Sequence, residues 1–413
     1  MKVISGMRPV YKMTEVGEIP EDWNLQYLNE LVTFLDGQRR PIKSSEREKM
    51  KGIFPYYGAS SIVDYVNGYL FDEELILLGE DGDNILSRNL PLAFRVSGKI
   101  WVNNYAHVLR PNETVSIGFF TEYLESVNYE QLNSGTAQPK LNKKSCNSIK
   151  IPIPPTKAEQ EAIAESLGGA DAWIESLESL IAKKRLIKQG TMQELLTPPV
   201  AGQARKTRLP GFEGEWVERR LGDLGDSLIG LTYSPSEVCD SGVLVLRSSN
   251  VQQGALCFDD TVFVDREING RIMVRPGDIL ICVRNGSREL IGKCAKIDER
   301  AKRMTFGAFM SVFRTEFHSF VHHQFQSDVI KRQIHDHLGA TINQITNASL
   351  NSFQIPFPLD LDEQTAIAEI LSVIDTEIEA LGTQLQKARR IKEGMMAELL
   401  TGKTRLVEVQ KIS

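Results

Sequence analysis

The side chains that could do chemistry are present, but none falls into a catalytic spacing. Five of the six histidines lie between His318 and His337. His318 and His322 would share one helix face, so a common metal is conceivable, yet no cysteine lies near them. A surface helix whose imidazoles meet phosphate or a partner is the simpler reading. The cysteines Cys146, Cys239, Cys257, Cys282 and Cys294 form no CxxC pair. That argues against a disulfide framework and against a zinc site of ordinary spacing. Gly402-Lys403-Thr404 resembles the end of a phosphate loop, but Ala397 stands where the first glycine belongs. Asp278 follows Pro276-Gly277 with no ExK run to complete a nuclease pattern, and Glu80-Asp81-Gly82-Asp83 reads as a hairpin turn before it reads as a cation site. There is no GxGxxG, no Asn/Asp-Pro-Pro-Tyr/Phe run, and no paired nucleophile and base. The expectation is a chain without catalytic residues, bound metal or cofactor of its own.

Those residues must be carried by more than one domain. At roughly 100–200 residues per domain, 413 residues allow two to four. Hydrophobic residues at 41 % and charged residues at 25 % are the balance of a globular protein. No apolar run approaches the ~18 residues of a membrane span. The opening MKVISGMRPVYK lacks the apolar core of a signal peptide, so a cytoplasmic location is expected. The net charge is −6. Residues 18–150 carry 14 Lys and Arg against 18 Asp and Glu, and residues 208–355 carry 17 against 18. Any contact with a polyanion must therefore use local basic clusters or a more basic partner.

The chain is one unit written twice. EQEAIAESL at 159–167 returns as EQTAIAEIL at 363–371, an offset of 204. The same offset relates ELLT at 194–197 to 398–401, IPIPP at 151–155 to IPFPL at 355–359, LILLGEDG at 75–82 to ILICVRNG at 279–286, and HVLR at 107–110 to SVFR at 311–314. One offset kept over separated segments is the mark of duplication. KTRL at 206–209 also returns at 403–406. This is either a chance match of four residues or a chain whose end returns to its beginning.

Each unit opens with a mixed block, in which short β-rich runs such as Leu75–Leu78 and Ile279–Val283 alternate with turn signals. Helices are predicted near 118–132 and 317–337, and the blocks read as α+β domains with a strongly twisted sheet. The unit ends are clearer. Thr156 with Glu159, and Asp360 with Glu363, have capping-box form. Apolar residues then recur at Ile163, Leu167, Ala170, Ile174, Leu177 and Ile181, and again from Ile367 to Ala388. These 4-3 steps are the seam of a helix that packs against another helix. Each helix spans roughly 40 residues, about 60 Å, and the connectivity favours an antiparallel pair. Gly190 and Gly394 hold equivalent places inside the helices. They mark close backbone approach, a bend, or simple inheritance. Trp173 lies beside the seam, either as a docking anchor for a partner or as packing against the second helix. The expected domains are an N-terminal segment 1–17, blocks 18–150 and 201–355, helices 151–200 and 356–401, and a tail 402–413.

IPIPP or IPFPL, then EQxAIAE, then a long heptad helix ending in ELLT, twice in one chain, resembles the specificity subunit of type I restriction-modification systems. IPEDW at 19–23 and GTAQPKL at 135–141 are similar to that family's target-recognition domains. The second unit departs from the pattern, with ATINQI at 340–345 in place of GTAQPKL. The resemblance implies two domains that each read half of a split double-stranded DNA site. It implies helices that set the spacing and dock two methyltransferase subunits, and through them motor-nuclease subunits, with S-adenosylmethionine held by the methyltransferase. Base reading needs Arg, Lys, Asn or Gln at base edges, and phosphate contacts set position. The candidates are Arg39, Arg40, Lys43, Gln138, Lys140, Lys143 and Lys144 in the first block. In the second they are Arg284, Asn285, Arg288, Lys302, Arg303, Asn343 and Gln344. The rival reading is a coiled-coil scaffold that joins proteins without touching DNA, for which the acidic balance speaks.

Overall fold

A computed structural model of the chain describes residues 10–135, 137–198, 208–338 and 343–406. The first block contains β1 (Asn24–Tyr27), β2 (Val32–Phe34), β3 (Lys51–Tyr57), β4 (Leu75–Gly79), β5 (Ala93–Val96), β6 (Lys99–Val102) and β7 (Ala106–Pro111). Helices α1 (Ile117–Ser126) and α2 (Lys143–Asn147) and strand β8 (Lys150–Ile153) complete it, and the long α3 (Lys157–Leu195) follows. The second block contains β9 (Trp216–Arg220), β10 (Asp226–Ile229), β11 (Val243–Leu246), β12 (Val251–Gln252), β13 (Ala255–Leu256), β14 (Ile279–Cys282) and β15 (Cys294–Lys296). It continues through β16 (Thr305–Phe306), β17 (Met310–Arg314), α4 (His318–Gln326), α5 (Asp328–Leu338), α6 (Asn347–Ser352) and β18 (Gln354–Pro358) to the long α7 (Leu361–Leu399). Further short strands and turns fill the gaps.

The duplication is visible in the topology. One four-stranded antiparallel sheet has the order β2-β7-β4-β5 in the first block and β10-β17-β14-β15 in the second. A second four-stranded sheet contains a parallel pair, β3 with β6 and β11 with β16. The block ends are closed by β1 with β8 and by β9 with β18, both antiparallel. Each block thus holds two four-stranded sheets where the sequence pointed to one. The reason lies in the central strands. Successive side chains on a strand face opposite ways, and in β4 Ile76 and Leu78 enter one core while Leu75 and Leu77 enter another. In β14, Ile279 and Ile281 face one core and Leu280 and Cys282 the other. A strand buried on both faces needs a layer on each side.

The described residues fall into two compact units, one from those of 10–179 with 383–406 and one from those of 180–382. Each long helix contributes one half to each unit, and in both units the halves of α3 and α7 run antiparallel. In the first unit Lys392 meets Asp171 at 2.6 Å and Arg389 meets Glu178 at 2.6 Å. In the second, Lys184 meets Glu377 at 2.6 Å and Lys188 meets Asp375 at 2.6 Å. The α3 seam is buried except at the half-buried Ile174, and the α7 seam is buried at Ile367, Leu371 and Ala388 and half-buried at Ile374, Ile378, Leu381 and Leu385. Ile163 and Leu167 join Phe119, Phe120, Leu399 and Leu400 in the first unit. Ile367 and Leu371 join Phe320, Phe325, Met192 and Leu196 in the second. Each such side chain contributes about 1.5–3 kcal/mol by leaving water.

The capping boxes are only half formed. The Thr156 hydroxyl accepts from the Glu159 N–H at 3.2 Å, and Asp360 accepts from the N–H groups of Asp362 and Glu363 at 2.9 and 3.3 Å. The glutamates do not return to the caps, because arginine holds them. Arg208 takes Glu363 with two bonds of 2.9 Å, joined by the indole N–H of Trp216 at 3.2 Å. Arg405 pairs with Glu159 and with Asp22, the latter at 3.0 and 3.1 Å, and lies over Trp23. Both arginines come from the repeated KTRL segments, of which residues 206 and 207 lie outside the described residues. Within the first unit residues 402–405 are therefore fastened to residues 11–23, and the Tyr11 hydroxyl donates to the Lys403 carbonyl at 3.1 Å. Gly402 permits this turn: its φ is +71°, and a Cβ would lie 2.5 Å from Pro20. Gly190 and Gly394 do otherwise, since an added Cβ at either meets nothing within 4 Å. Close backbone approach is not their role.

Candidate nucleic-acid interface

In each domain the turn after the central strand is braced by a second segment arriving from far along the chain. In the first domain the Leu141 N–H donates to the Glu80 carbonyl at 2.8 Å and the Glu80 N–H to the Tyr105 carbonyl at 2.8 Å. Asp81 and Lys140 form a bridge between the two segments. In the second domain the Ile345 N–H donates to the Val283 carbonyl at 2.8 Å, and the N–H groups of Val283 and Arg284 donate to the Phe309 carbonyl at 3.0 and 3.1 Å. Arg284 and Gln344 form the corresponding bridge. GTAQPKL and the described end of ATINQI share no side chains here, yet they occupy one place in one backbone frame.

The first tip is a small closed loop over a charge network. The Ser134 N–H donates to the Lys140 carbonyl at 2.9 Å, and the Asn133 side-chain carbonyl accepts from Gly135 and Lys140 N–H at 3.0 and 2.8 Å. A Cβ on residue 135 would lie 1.8 Å from the Gln138 carbonyl oxygen, so only glycine closes this loop. Gln138 is exposed on it. Beneath, Arg39 is mostly buried and binds Glu80 at 2.7 Å and the Ala106 carbonyl at 2.6 Å. Lys140 reaches Asp81 at 3.0 Å and Glu80 at 3.4 Å. The hydrogen bond to Asp81 raises the Lys140 pKa.

The buried His107 faces Asp36 through Nδ1 at 2.7 Å and the Leu141 carbonyl through Nε2 at 2.9 Å. Two acceptors require two donors, hence an imidazolium. Burial opposes that charge, but contact with Asp36 and Cys146 overrides it, and the His107 pKa is pushed up to about 10. Burial likewise opposes ionisation of Asp36, yet His107 and the Val108 N–H hold its carboxyl below the usual range. Lys143 lies over the Phe34 ring at 4.8 Å. Arg40, Lys43 and Lys144 are exposed.

The second tip carries different chemistry. The exposed Arg284 guanidinium lies 5.0 Å from the centroid of Phe309, itself 57 % exposed. Asn285 is turned inward, donating to the Ser248 hydroxyl at 3.2 Å and accepting from the Ser287 N–H at 3.0 Å. Asn343 and Gln344 are exposed beside it. Arg288 opens a short turn, Arg288–Leu290, four residues beyond Arg284. Lys302 and Arg303 stand apart on the turn between β15 and β16. Lys302 pairs with Glu299 at 3.7 Å, and Arg303 has a left-handed φ of +72°.

The family model described as the type I restriction modification DNA specificity domain matches this chain twice, over residues 20–183 and 213–389. Each match takes in one braced tip and most of the long helix that follows. The chain belongs to this family. It is a DNA sequence-recognition subunit with two recognition domains. It is 26 % identical over 419 residues to the type I restriction enzyme MjaVIII specificity subunit of Methanocaldococcus jannaschii, with 94 % of each chain covered. It is 36 % identical over 152 residues, 37 % of each chain, to the putative type I restriction enzyme specificity subunit S.HindORF215P of Haemophilus influenzae. In fold it is similar to the crystal structure of the type I restriction-modification S subunit from M. genitalium. That likeness has a TM-score of 0.64 at 15 % identity and covers 98 % of this chain and 100 % of that one.

Within this specificity subunit the frame brings together Arg39, Gln138 and Lys140 in one domain and Arg284, Asn285 and Gln344 in the other. Sequence reasoning missed the exposed aromatics Tyr105 and Phe309. Their signal was available, since each precedes one of the paired strands HVLR and SVFR at the common offset. The expectation of surface histidines needs correction at His322 and His323, while His335 is exposed. His322 and His323 are buried against the joint of α4 with α7, and burial drives both below the usual imidazole range, His323 to about 3. They cannot offer imidazolium to phosphate. With Asp375 they form a group within 4.8 Å, but the Lys188 ammonium already supplies the cation there, 2.6 Å from Asp375. Trp173 on α3 is 44 % exposed. No helix among the described residues is long and apolar enough to cross a membrane.

Proposed function

We propose that each recognition domain reads one half of a split DNA site through its braced tip, and that catalysis resides in partner subunits. The observation carrying this reading is one backbone frame bearing two unlike surfaces, with Gln138 on the first and Arg284 and Gln344 on the second. Two copies with like surfaces would read a symmetric site, and unlike surfaces suit an asymmetric one. Base edges would be met by Gln138 in the first half and by Arg284, Asn343 and Gln344 in the second, with Asn285 shaping the second tip from within. Arg40, Lys43, Lys143, Lys144, Arg288, Lys302 and Arg303 would hold phosphates, with Arg39 and Lys140 fixing the first tip from below.

The long helices would set the distance between half-sites and dock two methyltransferase subunits. Each unit keeps apolar side chains exposed on its helix pair, Trp173 and Ile391 in the first and Leu186, Ile187 and Val373 in the second. S-adenosylmethionine would bind the methyltransferase, and motor-nuclease subunits would join through it. The scaffold reading is not favoured, because both blocks match a DNA specificity domain. The test is a modified-base map of DNA from cells that express the chain with its methyltransferase partner, compared with cells lacking the chain. A split motif with a fixed gap, present only with the chain, is expected. Co-purifying subunits that methylate no site would return the proposal to a scaffold.

A further inference from the structure

A group of cations in the second unit lies mostly outside the basic clusters visible in the sequence and meets them only at Arg288. A cavity of about 810 Å³ opens between the end of α3, the start of α5 and the turn before β15. Its cations are Arg185, Lys188, Lys293, Lys331 and Arg332, and its one acid is Asp328. Asp328 is already engaged by Gln193 at 3.0 Å and by Lys331 at 3.8 Å. Lys188 is engaged by Asp375 and Gln326, both at 2.6 Å. Among the described residues that leaves the half-buried Lys293 and the exposed Arg332 without a carboxylate, and Arg185 with only the Gln253 side-chain amide. A second cavity of about 830 Å³ shares Gly292, Lys293 and Lys331 with the first and ends at Arg288. The second cavity also holds the acids Glu289 and Asp336, so along the joined trough, from the recognition tip by α5 to α3, six Lys and Arg side chains face three acids.

The duplication supplies an internal control. At the offset of 204, Arg185 and Lys188 correspond to Arg389 and Lys392 of the first unit. There Arg389 is paired with Glu178 at 2.6 Å, and Lys392 with Asp171 and with the half-buried Glu122 at 3.1 Å. The second unit has Gly382 in place of Glu178 and Gln326 in place of Glu122. Both acids are gone from the copy that gathers more cations. Crowded like charges repel and do not stabilise a fold, so this arrangement calls for an anion from outside.

We infer that the trough is a track for the DNA phosphate backbone, gripping the duplex beside the bases read by the second domain and doing so without regard to sequence. The inference rests on the DNA-reading proposal above. Continuity with the recognition tip through Arg288 favours a nucleic-acid backbone over an acidic protein segment. The grip belongs to the second unit alone.

The test is salt titration of DNA binding by the full chain assembled with its methyltransferase subunits, on a duplex bearing the mapped site and on a scrambled duplex. Replacing Lys293, Lys331 and Arg332 together by alanine removes three phosphate contacts. The slope of log K against log salt should then fall by about 2.7, roughly a forty-fold change between 50 and 200 mM salt. Both duplexes should weaken alike at low salt, the methylated motif should stay the same, and Lys293→Arg with Lys331→Arg should keep the slope. An unchanged slope overturns the inference, as does weakening confined to the site-bearing duplex. Loss of the methyltransferase subunits with the slope intact also overturns it and assigns the trough to an acidic protein segment. Failure of the underlying reading shows separately, as a methylation map with no motif for the unsubstituted chain.

Discussion

At His107 both ring nitrogens face acceptors, and one of these, the Leu141 carbonyl, closes the GTAQPKL segment. The folded chain therefore favours the imidazolium. Its pKa is raised from the ordinary 6.5 to about 10, so the stabilisation is fully present below 6.5 and is lost as pH rises through 10. The unfolding midpoint of His107→Asn should lie below that of the parent at pH 7, and the gap should close towards pH 10.5; a constant gap would remove His107 from the charge network. At the other tip, Arg284→Ala should cost about 1–3 kcal/mol of discrimination at one base position. A methylation map of that variant should show one relaxed position in one half-site and no change in the other. Sequence alone could not tell Arg39 from Arg40. Adjacent arginines look alike in a string, and only the fold shows that one turns inward to Glu80 while the other faces solvent.

The long helices were the most legible elements, because an apolar seam repeats locally and its period states what it packs against. The second sheet in each domain was not legible. Its parallel pairs join short runs 45 to 60 residues apart, and no local period records them. The arginine fastenings were hidden for the same reason, since Arg405 and Glu159 are 246 residues apart. Gly190 and Gly394 are surrounded by open space, which leaves room for a side chain at either. Replacing either by alanine should therefore stabilise the chain by about 1 kcal/mol through helix propensity alone. Thermal unfolding should show the midpoint rising for each and rising further for both. A fall would reveal a helix bend that the glycines serve.

For the whole molecule, the duplication means that each recognition block is held by contacts of the same kind. β9 pairs with β18 as β1 pairs with β8, and Arg208 grips Glu363 as Arg405 grips Glu159. Residues 208–355 exchanged for the corresponding block of another specificity subunit should then fold in place and change one half-site only, with the other half and the gap preserved. The methylation map of the exchanged chain reads this directly, and a change in both halves would show that the domains do not read independently.

The shared frame beneath the two tips has a consequence for heredity. A gene built this way can vary one tip while the other, and everything that braces them, stays fixed. If surface variants arise separately at the two places, the addresses open to the lineage grow as the product of the two sets and not as their sum. Duplication of a frame whose side chains are free to diverge thus converts a small stock of alleles into a large vocabulary.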